Sequence, residues 1–466
     1  MKLVRFGTLK NGFRFYTQKD PSTHLMGVGI KGGSMYDPPG RSGMFHLKEH
    51  VLCRETRDIV SRALELKFRE FGCGPREDID IHTSRYATFY GTDNLVRRAH
   101  ALELFPHFAG MMRNRIVHPH ALSVELSAAF NEYLHHGEDS TEDIVDIWMH
   151  KTMYERNPAR GRIDCEEEDL RVRITPQSME ESIKTWYVPN NMFALILGLS
   201  HQKAWYLAEK YFGDLKPGEI IRPTTDELRP VLTGIKTAEI VRRVERRYPG
   251  EMWKPLRLWH LGIGFPTHPF GHADDEAIEI LTEILQFRAE DILREGNHKI
   301  DEGTYHPLVN ISRSYLHGLF YLWFETPSAD FVRIGEERFI CECEKVKRGG
   351  VDETEITRAI EGVDEGERAK KANALRRKHR KELTEEFVTM RNKKRNAYRD
   401  AFESNPGRLT SLIIESAANR DEEMVRLNSY RDRLNRVTRS RIVQVANEYL
   451  TTPDRYVRVV IRPPAE

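Results

Sequence analysis

Residues 43–53, GMFHLKEHVLC, set two histidines four apart with a glutamate directly before the second. On an α-helix, positions four apart differ by about 40° in azimuth, so the imidazoles of His46 and His50 leave one face a turn apart and can meet at one point. Nitrogen ligands of this kind suit Zn2+, and a catalytic zinc keeps one position for water. Glu49 lies on the same side but offset, where its carboxylate can reach that water without becoming a ligand. The chemistry that fits is metal-assisted hydrolysis, with Glu49 as the general base. A third ligand must come from another element. In SVELSAAFNEYLHH, Glu125 and Glu132 stand seven apart, two turns along one helical stripe, and periodicity alone leaves either one available or both on a solvated face.

These side chains need a scaffold. Asn11-Gly12 between strand-like flanks signals a hairpin, and HLMGVGIKGGSMYD reads as the next strand. Pro38, Pro39 and Gly40 break it, Ser42 is placed to cap, and a helix through Phe45, Leu47 and Leu52 carries the histidines. A second helix over residues 58–72, a strand at 80–92, and three further helices between 94 and 154 follow. Residues 175–198 and 438–461 repeat one design: a capped amphipathic helix, an aromatic, a proline-containing turn and an apolar strand. The expected fold class is therefore α+β, with two similar domains, each a mixed, mostly antiparallel sheet with helices packed on one face. The domains are expected at 1–215 and 232–466, joined by a proline-rich linker at 216–231.

Bulk composition narrows the function. Charged residues make up 31% of 466 yet cancel to +1, which gives no general attraction for nucleic acid or anionic membrane. The basic stretch 368–399 has interleaved glutamates and reads as a solvated helix face. No run reaches the roughly eighteen apolar residues of a membrane span, and MKLVRFGTLKNG lacks the apolar middle of a secretory signal, so a soluble, cytoplasmic protein is expected. Five cysteines without zinc-knuckle spacing read as reduced thiols. His118, His120, His135 and His136 read as turn and helix-end residues.

With these motifs in view, the chain resembles the pitrilysin family of inverted-motif zinc metallopeptidases, including its bacterial members and the subunits of mitochondrial processing peptidase. The resemblance rests on LKNG (9–12), GSMYD (33–37), the intact HLKEH (46–50), DIHTSRYATFY (80–90), YVPNNM (187–192) and the paired glutamates. It implies that Glu132 is the third zinc ligand and that Glu125 holds the ligand helix or a histidine in register. It also implies that Arg294 and Tyr305, from ILREGNHKIDEGTYHP in the C-terminal domain, complete the active site as donors to the scissile carbonyl. Asp80-Ile81 replaces the family's Asn-Ala on the strand where an extended peptide would lie, adding charge and bulk. The implied function is a zinc metalloendopeptidase acting on unfolded peptides, with two such chains enclosing a chamber as a homodimer or as a heterodimer with a related chain. The rival implication is a catalytically silent binding or assembly subunit of such a hetero-oligomer.

Overall fold

Turn chemistry acts first at the N-terminus. Arg5–Thr8 (β1) and Arg14–Thr17 (β2) pair antiparallel around Asn11-Gly12, and Gly12 takes a φ of 85°, a left-handed conformation that glycine adopts at little cost. The Asn11 amide donates to the carbonyls of Phe212 (2.6 Å) and Leu215 (3.0 Å), fastening this turn to the end of a later helix. The computed structural model describes residues 4–18, 25–38, 40–54, 79–84, 87–92, 98–113, 115, 117–139, 141–153, 173–219, 232–241, 258–269, 271–294, 307–313, 318–363 and 433–463. The expected helix at 58–72, most of the linker and the basic stretch 368–399 lie outside them.

By their contacts the residues form two units: Met1–Tyr133 with Gly161–Pro223 and Asp400–Asn428, and Leu134–Arg160 with Thr224–Arg399 and Ser429–Glu466. The first contains, in chain order after β2, Met26–Ile30 (β3), Met44–Arg54 (α1), Ile79–Thr83 (β4), Thr88–Thr92 (β5) and Arg98–Arg113 (α2). Pro119–Asp139 (α3) begins in it, and Pro176–Trp186 (α5), Met192–Ile196 (β6) and His201–Phe212 (α6) complete it. Its sheet runs β1-β2-β6-β3-β5-β4. Alternation sends Met26, Val28, Ile30, Tyr90, Met192, Ala194 and Ile196 to the helix-covered side, where they meet Leu47, Val51, Leu104 and Phe108.

The second unit holds Thr141–Met153 (α4), Lys236–Val241 (β7), Trp259–Thr267 (β8), Asp275–Ala289 (α7), Leu308–Arg313 (β9), Gly318–Thr326 (β10), Ala329–Lys347 (α8), Glu353–Val363 (α9), Arg439–Tyr449 (α10) and Val457–Arg462 (β11). Its sheet runs β7-β11-β8-β10-β9. Leu261, Ile263 and Phe265 face a core shared with α7, α8 and α10. The other face receives α4: a Cβ on Gly262 would lie 2.3 Å from Val145 Cγ1, so glycine is what lets this helix approach the strand. Where the sequence suggests one cut at 216–231, residues 134–160 thus join the second unit, because the apolar stripe of α4 packs on β8 and β11.

The internal echo stands in both units. Thr175 caps α5 by accepting from the Ser178 N–H, Thr438 caps α10 by accepting from the Arg441 N–H, and each helix leads to a strand set between one parallel and one antiparallel neighbour. β2 and β6 run parallel, as do β7 and β11, while the remaining neighbours of the shared order are antiparallel. The fold class is the α+β duplication that the sequence predicts. Among the described residues no helix is long and apolar enough to cross a membrane.

Candidate metal centre

The start of α1 is fixed by Asp37. Its fully buried carboxylate accepts the amides of Gly43 (2.7 Å) and Phe45 (2.8 Å), the cap position that the sequence offers to Ser42. An acid placed there satisfies amides that have no partner within the helix and complements its positive end. Met44, Leu47, Val51 and Leu52 turn the apolar face of α1 into the core. Lys48, between the two histidines, is also fully buried. Its ammonium donates to Ser182 Oγ on α5 at 2.9 Å and sits 3.2 Å from the Phe45 ring centroid. Burial lowers its pKa to about 7, against the opposing pull of Asp37.

The remaining face presents His46 and His50, their Nε2 atoms 3.2 Å apart. Glu132, on α3, brings Oε2 to 3.2 Å from His50 Nε2 and Oε1 to 3.7 Å from His46 Nε2. One donor atom from each of these residues lies within 4.8 Å of the others. Leu122, Glu125, Ala129 and Glu132 form one stripe along α3, which is why acids seven apart both reach the histidines of α1, Glu125 buried and Glu132 half-exposed. Glu125 is not in the donor cluster. Its Oε2 lies 3.0 Å from His50 Nδ1, and its Oε1 accepts from Arg54 Nε. A proton on Nδ1 shared with Glu125 leaves the Nε2 lone pair of His50 directed at the cluster, the tautomer that a metal ligand needs.

The electrostatics suit a cation. Burial disfavours charge on His50, but hydrogen bonds with Glu125 and Glu132 outweigh it and raise the pKa to about 10. Contacts with His46 and His50 hold the Glu132 carboxyl well below the usual range. Burial pushes the Glu125 carboxyl up, and His50 and Arg54 more than reverse that. Two imidazole nitrogens and a carboxylate oxygen converging from two helices match the donor set of a zinc site with a position left for solvent. His46, His50 and Glu132 would hold the ion.

Glu49 is 8% exposed, and its Oε2 accepts from Thr83 Oγ1 at 2.8 Å. Burial raises its pKa, opposed by the neighbouring charge of His46 and His50. Arg294 lies in the second unit, exposed at the end of a π-helical turn, Glu290–Arg294, that follows α7. Tyr305 lies outside the described residues. Asp80 and Ile81 fall on β4, the edge strand, paired with Gly91 and Tyr90. The Ile81 side chain packs with Ile79 against the core, so its bulk is absorbed inward and not in the path of a peptide laid along the edge.

Sequence reasoning passes over Thr83 and Arg54. The alternation of β4 is the signal that finds the first: Thr83 shares a face with Ile79 and Ile81, the face turned toward the core beneath α1. Arg54, one turn beyond His50, is the helical neighbour placed to reach whatever acid holds that histidine.

Residues 14–167 match the family described as insulinase, peptidase family M16, and residues 173–363 match the peptidase M16 inactive domain. A probable mitochondrial-processing peptidase subunit beta of Schizosaccharomyces pombe is 28% identical over 216 residues, 45% of each chain. Subunit 1 of the mitochondrial cytochrome b-c1 complex of Bos taurus is 24% identical over 282 residues, 59% of this chain and 54% of that one. The chain thus spans about half the length of these relatives. In fold, it superposes on a protease from Helicobacter pylori with a TM-score of 0.76 at 18% identity, covering 99% of this chain and 100% of that one. Matched along both halves by one family's domains, and carrying that family's inverted motif on α1, this chain belongs to peptidase family M16, the pitrilysin family.

Proposed function

We infer that this protein is a zinc metalloendopeptidase that cleaves unfolded peptides. The observation that carries the reading is the convergence of His46, His50 and Glu132, with the buried carboxylate of Glu49 on the same helix as the histidines. A zinc ion bound there would supply Lewis acidity, making water a competent nucleophile near neutral pH and polarising the scissile carbonyl. Glu49 takes the proton of the attacking water and returns it to the leaving amine. Its raised pKa suits the first role, since a carboxylate of higher pKa takes up a proton more readily. Arg294 and Tyr305 are assigned to the carbonyl oxygen, as donors to its developing negative charge. The likeness to a processing-peptidase subunit and to a cytochrome b-c1 complex subunit supports assembly as a dimer, either with a related chain or with a second copy.

The experiment is Glu49→Gln in the zinc-loaded protein. Turnover on unfolded peptides is expected to fall by about 10²- to 10⁴-fold, with zinc stoichiometry unchanged by elemental analysis. Equal turnover by the variant removes Glu49 from the reaction.

A second reading has its own support: the likeness to the b-c1 subunit and the match of residues 173–363 to an inactive domain favour a subunit that keeps the fold for binding or assembly. Zinc bound at one equivalent, with no cleavage of any unfolded peptide by the wild-type chain, selects it.

A further inference from the structure

Thr83 ends the edge strand β4, and its hydroxyl has a single proton with two acceptors in reach. Glu49 Oε2 lies at 2.8 Å, and Oγ1 of its cross-strand partner Thr88 lies at 3.5 Å. Thr88 is fully buried and donates its own proton to the Gly32 carbonyl at 2.9 Å, so toward Thr83 it can only accept. Distance and charge decide the matter, because a short bond to a carboxylate is about twice as strong as a long bond between neutral groups. The proton goes to Glu49.

This bond changes what the carboxylate can do. A free glutamate presents two equivalent oxygens and turns about its terminal torsion. With Oε2 tied to β4, Oε1 is left to exchange protons, and the plane of the group is fixed by the sheet as well as by the helix. Such fixing matters because general-base catalysis depends on the reacting atoms being held close to the productive geometry. Thr83 is itself anchored, since its strand pairs with β5 through register partners that end at Thr83 and Thr88. The path from sheet to base is therefore backbone pairing, then a hydroxyl, then a carboxylate.

We propose that Thr83 is a positioning residue for Glu49, aligning one carboxylate oxygen for proton transfer by holding the other. The inference rests on the peptidase reading and deepens it. In this role Thr83 acts through Glu49, by way of its hydroxyl. Its removal should therefore lower the rate of the chemical step without weakening peptide binding or zinc retention.

The test compares Thr83→Val, which keeps the shape and deletes the hydroxyl, with Thr83→Ser, which keeps the hydroxyl. Both are made in the zinc-loaded full chain and assayed on an unfolded peptide. Thr83→Val is expected to lower kcat by about ten- to a hundredfold, the effect of losing a hydrogen bond to a charged group, at unchanged KM and unchanged zinc content. Thr83→Ser is expected to restore most of the rate. Thermal midpoints on the same preparations identify any loss of structure, and Thr83→Ala is read in the same way should the valine variant not fold. A normal kcat in a folded hydroxyl-free variant overturns the proposal. So does a loss confined to KM, or a loss of kcat that Thr83→Ser shares in full. A wild-type chain that binds zinc and cleaves nothing overturns the peptidase reading and this role with it, whereas an active wild type with an equally active Thr83→Val overturns this role alone.

Discussion

The helices α1 and α7 hold the same place in two sheets that share a five-strand order, to which β1 is added in the first, and they bury different things. Each follows the strand at the centre of that order, β3 or β8, and precedes the strand at the far edge. α7 buries Ile278, Ile280, Leu281, Ile284 and Leu285, and the polar groups it buries with them, Asp275, Glu276, Thr282 and Gln286, include no histidine. α1 buries Met44, Leu47, Val51 and Leu52, but also Lys48 and Glu49, and opens His46 and His50 toward Glu132. Among the described residues, the donor cluster of the first unit has no counterpart in the second. The sheet topology is thus a support that both units share, while the chemistry resides in what one helix places on it. That placement is costly, since a buried charge destabilises unless it is paired or hydrogen-bonded. Ser182 for Lys48, Thr83 for Glu49 and Glu125 for His50 are the compensating partners.

The contrast can be broken first in the helix without histidines. Leu281→Ala in α7 removes a fully buried side chain and leaves a cavity, at a cost of about 2–5 kcal/mol. Thermal unfolding should register the loss while elemental analysis still finds zinc, because all three donors come from the first unit. Loss of zinc from the folded variant would show that the second unit shapes the donor cluster.

A smaller effect sharpens the electrostatic side of the comparison. In the metal-free chain the His50 pKa is raised from 6.5 to about 10, so the ring carries a proton across pH 7–9. Its contribution to the stability of the metal-free fold is fully present below the unfolded value and is lost as pH rises through the folded one. A metal needs that Nε2 bare, and binding must expel the proton. Zinc affinity should therefore rise by about tenfold per pH unit over this range and level off as pH approaches the folded pKa. Competition titration with a chelator at several pH values measures the slope, and a flat profile would mean that His50 is already neutral.

Legibility followed the range of the physics. The Asn11-Gly12 hairpin, the HLKEH helix and the echo between 175–198 and 438–461 were readable because turn, cap and periodicity are local properties. Glu125 and Glu132 were readable as a pair, but the division of labour between them depends on where His50 Nδ1 points, which no spacing states. The stripe of α4 announces burial without saying on which sheet, so Val145 and Met149 meeting Gly262 could not be foreseen from the helix alone. Lys48 stands in a polar motif whose spacing gives no sign of burial. Its burial follows from the packing of α1 against α5, a contact between residues more than a hundred positions apart.

The smallest effect tests the likeness itself. Thr175 and Thr438 open the two echoed helices with the same hydroxyl-to-amide bond, at 3.2 and 3.3 Å, so replacing either by alanine should cost about 1 kcal/mol. Thr175 has one further advantage: Ser178 Oγ accepts from the Thr175 N–H at 2.9 Å, a reciprocal bond that closes a capping box. In Thr175→Ala that backbone donor still has Ser178, whereas Arg441, at the matching position of α10, has no side-chain acceptor to return such a bond. The two losses in thermal stability should then be of similar size, with Thr438→Ala at least as large. A much greater loss for Thr175→Ala would mean that α5 is secured chiefly through its start, and that Lys48 and Ser182, deeper along the helix, add little to holding it against α1.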